Sequence, residues 1–315
     1  MKKIKSKNIL VIGLGNLGLN YLKAIFILPY NVNLYIHDKN LDRLNQKFIV
    51  PSKIKIYKVT SLEKFNKSLD LVIISSTANK RLDLIKKLKK NKIKYWILEK
   101  LLEQSVTATN SIYRILKSDN CWVNIPRRTM PEYSYIKSNL IFDANFPVDL
   151  KLSMNGFRIV TNSIHFIDLL CWLVDSKVSA VDINKLKNEW IESKRLGFYE
   201  TGGTLTIILN NKSKIILKAG KKTKKSDIII GNKKMHWKIN ESKLYAVRSD
   251  GLKIKIKLPL VSEIMKKVIK DIFKKKTCSL PVLKEVVENH NVLIKSLQKH
   301  WLNCKKQKVQ NLPVT

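Results

Sequence analysis

NILVIGLGNLGLNYLKAIFIL, residues 8 to 28, joins an apolar run to a helical pattern through a glycine-rich turn. Ile9 to Ile12 are all apolar and end at Gly13, as expected of a short strand covered on both faces. From Leu17 onward the apolar residues recur at helical spacing. Between the two, Gly13, Gly15 and Gly18 spell GLGNLG. The first glycine permits the tight turn, the second lets the backbone approach a pyrophosphate, and the third lets helix and strand pack closely. Asn16 and Leu17 open the helix, whose first N–H groups point at any anion held there. Asp38 lies 20 residues beyond Gly18, at the end of the next strand pattern VNLYIHD, and is placed to accept hydrogen bonds from an adenosine ribose. The expectation is a nicotinamide dinucleotide, NAD ahead of NADP; Lys39 and Arg43 are near enough to a 2'-phosphate position to keep NADP open. A glycine turn that binds nothing is the alternative reading.

Outward from this stretch the alternation continues. KIKIYKV (53 to 59), DLVIISS (70 to 76), KYWILEK (94 to 100) and CWVNIP (121 to 126) read as strands, with helices near 79 to 91 and 106 to 117. Strands separated by helices mean a parallel sheet covered on both faces. After about residue 122 the pattern changes. One helix near 162 to 174 is followed by TLTIILN and SKIILKA, joined by an NNK turn as a hairpin, and then by MHWKIN, KLYAVRS and LKIKIKL. In LKIKIKL, Lys253, Lys255 and Lys257 alternate with isoleucines, so one side of that strand is wet. Helices near 261 to 275 and 282 to 302 close the chain. The fold class expected is α/β: an N-terminal Rossmann doubly wound parallel sheet over residues 1–122. A C-terminal α+β domain follows over 123–315, with a large open, mostly antiparallel sheet.

Bulk properties narrow the function classes. At 315 residues and 44% hydrophobic, the chain can bury two substantial cores. No uncharged apolar run of membrane-spanning length exists, and the basic start leads straight into a strand pattern, which points to a cytoplasmic protein without a membrane partner. The four cysteines form no CxxC pair, so neither a metal site nor a disulfide framework is expected. The 61 Lys plus Arg against 24 Asp plus Glu give a net charge of +37, which attracts anions nonspecifically. These lysines are spread evenly and accompany abundant Asn and Ile, a pattern of compositional drift at exposed positions. With no nucleic-acid-binding signature beside the charge, no specific nucleic acid is expected; a basic nucleic-acid-binding protein is kept as an alternative.

Two further segments carry chemistry. ILEKLLEQS (97 to 105) ends a strand in Glu99-Lys100 and delivers an ammonium to the carboxyl edge of the sheet, where ligands bind in open α/β folds. Lysine there can polarise a substrate hydroxyl and take part in proton transfer. TNSIHFIDLLCWL (161 to 173) puts Asn162, His165 and Asp168 at steps of three along an otherwise apolar helix. A core histidine with Asn162 or Ser163 as a helix cap is the competing reading. Arg127 and Arg128, at the domain junction, are candidates for holding a carboxylate or phosphate bidentately, against a reading as surface salt bridges.

Taken in order, GLGNLG, DLVIISSTAN, EKLL, VNIPRRTMPEYSYIK, NSIHFIDLLCWL and SLPVLKEVVENHNVLIKSLQKHW resemble the Gfo/Idh/MocA sugar oxidoreductases over nearly the full length. The resemblance implies that His165 is the acid/base and Lys100 its partner at the substrate hydroxyl. It implies cofactor contacts at Ser76, Thr77, Asn79, Glu99 and Lys100 beside the glycines, and a homo-oligomer, dimer or tetramer. The chain departs from the family at Thr161, where many members carry aspartate, at Leu101 in place of proline, and at Met130 in place of an acid. The asparagine-containing helix is similar to members from bacterial surface-polysaccharide and acidic-sugar pathways. The expected activity is therefore hydride transfer between NAD(P) and a carbohydrate derivative, a sugar, sugar acid or nucleotide sugar, with an anionic substrate favoured. A bound-NAD glycosidase or lyase acting through transient sugar oxidation is the alternative chemistry.

Overall fold

The apolar run of residues 9 to 12 becomes β1 (Lys7–Ile12), in which Ile9, Leu10 and Val11 are wholly buried. Each such side chain removed from water contributes about 1.5–3 kcal/mol. The computed structural model describes residues 6–45, 49–117, 120–141, 145–156, 158–220 and 227–315. The basic arm at 1–5 lies outside them.

Five further strands follow β1 in parallel: β2 (Val32–His37), β3 (Ile54–Lys58), β4 (Leu69–Ile74), β5 (Ile93–Glu99) and β6 (Cys121–Asn124). The helices α1 (Asn16–Phe26), α2 (Arg81–Leu88) and α3 (Val106–Leu116) connect them. The strand order is β3-β2-β1-β4-β5-β6. Connections leave in opposite directions at β1 and β4, which makes a switch point between their carboxyl ends.

The second half of the chain builds an eight-stranded mixed sheet. Its strands are β7 (Asp149–Met154), β8 (Val178–Asp182), β11 (Gly203–Leu209), β12 (Lys214–Ala219), β13 (Ile228–Gly231), β14 (His236–Asn240), β15 (Tyr245–Arg248) and β16 (Lys253–Lys255). A short pair, β9 (Ile191–Glu192) and β10 (Tyr199–Glu200), stands apart. The order is β16-β15-β14-β13-β7-β12-β11-β8, antiparallel except where β7 and β12 run parallel. Alternation sets the faces: Leu150, Leu152, Ile215, Leu217, Leu205 and Ile207 are buried, and α5 (Ile159–Val174) packs on this side. The opposite face is wet. Register carries Thr206, Ile216, Lys151, Ile229, Lys238, Val247 and Lys253 across seven strands as one rung. Lys253, Lys255 and Lys257 are exposed, Ile254 is half-buried and Ile256 buried, as the alternation predicts.

Helices α4 (Pro131–Ser138), α6 (Val261–Lys275) and α7 (Leu283–Lys305) complete the elements. The chain forms two compact units without a single cut at 122/123. One contains Met1–Glu103, Asn110–Asn124 and Pro259–Lys284; the other contains Gln104–Thr109, Ile125–Leu258 and Glu285–Thr315. The return of Pro259–Lys284 to the first unit has a local cause. Ile264, Met265, Val268, Ile269 and Ile272 form one apolar stripe of α6, which packs on α1, and Phe273 meets Tyr30 edge-on at 5.6 Å. A helical period announces such a stripe but not the surface that covers it. Among the described residues no helix is long and apolar enough to cross a membrane, and the four cysteines form no disulfide.

Candidate active site

In the first unit the three glycines do different work. Gly13 has φ +95°, which L side chains rarely adopt. A Cβ on Gly18 would lie 1.9 Å from the Gly13 carbonyl oxygen, so helix and turn touch only because it is glycine. Gly15 has open space where its Cβ would stand, at the start of α1 with no side-chain cap. That leaves an open cradle at a helix start whose first N–H groups suit an anion such as a pyrophosphate, with the exposed Asn16 and Leu17 at its rim. The Ser75 hydroxyl donates to the Gly13 carbonyl at 2.7 Å, locking the turn to the end of β4. These residues fit a dinucleotide.

Asp38 is already engaged. One oxygen accepts from the Leu14 N–H at 2.6 Å and the other from the Asn40 N–H at 2.7 Å. A carboxylate offers about four lone-pair sites, so ribose hydroxyls can share it. Beside it, the Lys39 ammonium lowers the pKa of Lys80, so two cations crowd one surface next to Asp38. Thr77 donates to Asn79 at 2.7 Å in the turn after β4, and the Ser76 carbonyl accepts from Arg81 at 2.7 Å.

Lys100 follows β5 and is half-buried, and the Lys100–Leu101 peptide is cis. Beneath it lies a buried polar network. Glu99 accepts from Tyr21 Oη at 2.9 Å and Asn124 Nδ2 at 2.6 Å, and burial raises its pKa. Burial likewise pushes Tyr21 well up. Arg81, wholly buried, donates from NH1 to the carbonyls of Leu101 and Leu102 and from NH2 to Ser76. Burial lowers its pKa to about 10, with Glu99 and Glu103 opposing the shift. Nothing in the sequence pattern marked Arg81; it falls at the start of the helix expected near 79 to 91.

In the second unit, Asn162, His165 and Phe166 of α5 face the inner side of the sheet across a cavity of about 390 Å³. Leu152, Met154, Ile228 and Ile239 form its apolar floor, and Asp227, Asn240, Glu241 and Lys243 its polar wall. The polar stripe of the helix divides here. Asn162 and His165 line the cavity, whereas Asp168 turns to Arg128, 3.3 Å from its Nε. Burial pushes the Asp168 carboxyl up to about 7, with Arg128 opposing and Glu285 adding.

The adjacent arginines also part ways. Arg128 is not among the residues lining the cavity; it spans Asp168 and Glu285. Arg127 lines the cavity, but its NH1 donates to Glu241 at 2.5 Å and to Tyr133 Oη at 3.0 Å, and its guanidinium lies 4.4 Å from the Phe166 ring centre. Burial works against its charge, yet Tyr133 and Glu241 outweigh that and its pKa rises.

Helix α5 begins at Ile159, so Asn162 and Ser163 lie inside it and cap nothing. The cap comes from elsewhere. Glu200 of β10 accepts the N–H groups of Val160 at 2.9 Å and Thr161 at 3.2 Å, together with the Thr161 hydroxyl. A carboxylate thus reaches Thr161 from a distant strand. Sequence reasoning missed Glu200, Asp227 and Glu241. Their one visible signal was scarcity, since acids are few in so basic a chain.

No protein-family model matches the sequence, and no curated protein matches it. Solved structures do match in fold. An oxidoreductase from Agrobacterium radiobacter in complex with NAD+, L-tartaric acid and magnesium is 14% identical, with a TM-score of 0.70 over 92% of this chain and 94% of that one. UDP-N-acetylglucosamine 3-dehydrogenase GnnA from Acidithiobacillus ferrooxidans is 15% identical, with a TM-score of 0.66 over 93% and 96%. The transcriptional regulator Gal80p from Kluyveromyces lactis is 16% identical, with a TM-score of 0.68 over 99% and 96%. At these identities the likeness shows a shared fold, with a parallel-sheet unit and a mixed-sheet unit, and nothing finer.

Proposed function

We propose that the chain is a nicotinamide-dependent oxidoreductase acting on a CH–OH group of a carbohydrate derivative, with NAD preferred over NADP. The observation that carries this reading is the glycine cradle: an open Gly15 at the start of α1, beside the β1/β4 switch point, on a fold shared with an NAD+-bound oxidoreductase. The likeness to a UDP-sugar dehydrogenase and the cavity under α5 support a sugar substrate. The nicotinamide would supply the hydride chemistry. Gly13, Gly15 and Gly18 with Asn16 and Leu17 would hold the pyrophosphate, Asp38 the ribose, and Ser76, Thr77, Asn79 and Glu99 the remainder of that wall. Lys100 and His165 would bind the reacting hydroxyl and move its proton, and Asn162 would orient the ring.

Positioned proton transfer contributes about 10²- to 10⁴-fold, so Lys100→Ala and His165→Ala should each cost turnover in that range and leave NAD affinity nearly unchanged. Titration with NAD and a steady-state assay on a panel of sugars and nucleotide sugars measure both. A folded protein that binds neither NAD nor NADP removes the reading. Retained turnover in a folded His165→Ala protein removes that residue from it.

The likeness to Gal80p favours one other reading, a cofactor-binding regulator without turnover, because one fold hosts many functions. It differs in outcome: NAD binding persists and no carbohydrate is oxidised or reduced at any cofactor level.

A further inference from the structure

Arginine at a sugar site suggests an acidic sugar, but the cavity beneath α5 is built with its charges already balanced. A guanidinium recognises a carboxylate by presenting two parallel N–H groups. Arg127 NH1 is spent on Glu241 and Tyr133, and the Phe166 ring lies against the guanidinium. An incoming carboxylate would have to approach the same guanidinium as Glu241 and would meet its negative charge. Asp227 adds a second carboxylate to the wall, with one oxygen accepting from Asn240 Nδ2 at 2.7 Å. Carboxylates only accept hydrogen bonds, so what they call for is O–H or N–H donors. Among the lining residues the other lysine or arginine is Lys243, which is exposed. The floor is apolar and suits the C–H face of a pyranose or cyclitol ring.

We propose that this cavity selects an uncharged, hydroxyl-rich sugar ring over a sugar acid, and that Glu241 is the residue that sets the preference by pairing with Arg127 NH1 and offsetting its charge. The proposal rests on the carbohydrate reading above. Asp227 and Glu241 each take ring hydroxyls on an oxygen that Asn240 or Arg127 leaves available, and the ring lies on the isoleucines. Glu241 acts twice, as an acceptor for the neutral ring and as a repulsive charge against an acidic one, and specificity gains from both.

The test titrates the NAD-loaded full-length protein with UDP-glucose and UDP-glucuronate, which share the nucleotide and differ at C6 of the hexose, by calorimetry. Native protein should bind UDP-glucose tighter by about tenfold or more, since like charges at close range are strongly disfavoured. Glu241→Gln keeps an oxygen for Arg127 but removes the charge, and should move the ratio toward UDP-glucuronate by about tenfold. Lys243→Gln should leave the ratio where it was. Tighter or equal binding of UDP-glucuronate by the native protein overturns the proposal alone, whether or not any variant folds. So does a ratio that follows Lys243 and ignores Glu241. Native protein that holds NAD and binds neither nucleotide sugar overturns the proposal, and failure to bind any member of the wider sugar panel overturns the carbohydrate reading with it.

Discussion

The glycine turn of the first unit and the cavity wall of the second solve the same problem, keeping a concave surface open without collapsing it, by opposite means. The turn is made of backbone. Its specificity lies in absent side chains: the missing Cβ of Gly18 admits the Gly13 carbonyl, and the missing Cβ of Gly15 leaves a cradle open. The cavity wall carries a paired charge, Arg127 with Glu241, and the next residue, Arg128, lies outside the lining and spans Asp168 and Glu285. A surface shaped by backbone should respond to sterics and ignore pH, and one shaped by paired charges should do the reverse.

The largest expected effect tests the charged side. Arg128 Nε and Asp168 Oδ2 lie within ion-pair distance, yet among the described residues neither atom makes a hydrogen bond, so burial outweighs attraction. With its folded pKa raised to about 7 from 3.8, Asp168 contributes most below about pH 4, where it is neutral in both states. As pH rises the unfolded chain gives up the proton first, and that stability is lost by the time pH passes about 7. Urea denaturation across this window should show native protein losing ground to Asp168→Asn by up to about 1.4 kcal/mol per pH unit. Native protein gaining ground instead would mean that Arg128 keeps the carboxylate ionised.

A smaller effect is expected at the turn. Gly18→Ala drives a methyl into a carbonyl and should cost about 1–3 kcal/mol at every pH, measured as a melting shift. Gly15→Ala meets no protein atom and should cost no more than about 1 kcal/mol while still weakening NAD. Equal stability losses for the two would break the contrast.

The smallest effect is at Asp38, a charged side chain held by backbone N–H groups of the first unit. Asp38→Ala should narrow the gap between NAD and NADP affinity and cost about 1 kcal/mol through the lost Leu14 and Asn40 contacts. Native protein with equal affinity for both cofactors would refute the ribose assignment.

The same contrast explains what was legible in the sequence. The turn is local, and a strand, three spaced glycines and a helix within some twenty residues leave few other structures open to them. Helices near 261 to 275 and 162 to 174 were visible from their periods, and α6 matches its expected span. The cavity is not local. Arg127, Asn162, Asp227 and Glu241 meet only after an eight-stranded sheet has formed, and no spacing encodes that meeting. Arg127 and Arg128 show the limit most plainly: neighbours in sequence, they sit on a single 3-10 turn, Pro126–Thr129, whose geometry sends one guanidinium to the cavity and the other to Asp168 and Glu285.

Arg81 grips three carbonyl oxygens in two loops, that of Ser76 after β4 and those of Leu101 and Leu102 after β5. Every residue has a carbonyl, so this fastener is indifferent to which side chains the loops carry and strict about their path. Tolerance of these two loops should therefore divide by kind of change. Exchanges at 76, and apolar exchanges of similar volume at the buried Leu101 and Leu102, should leave the grip intact, while inserting or deleting one residue in either loop should move a carbonyl out of reach and turn two tethered loops into two independent ones.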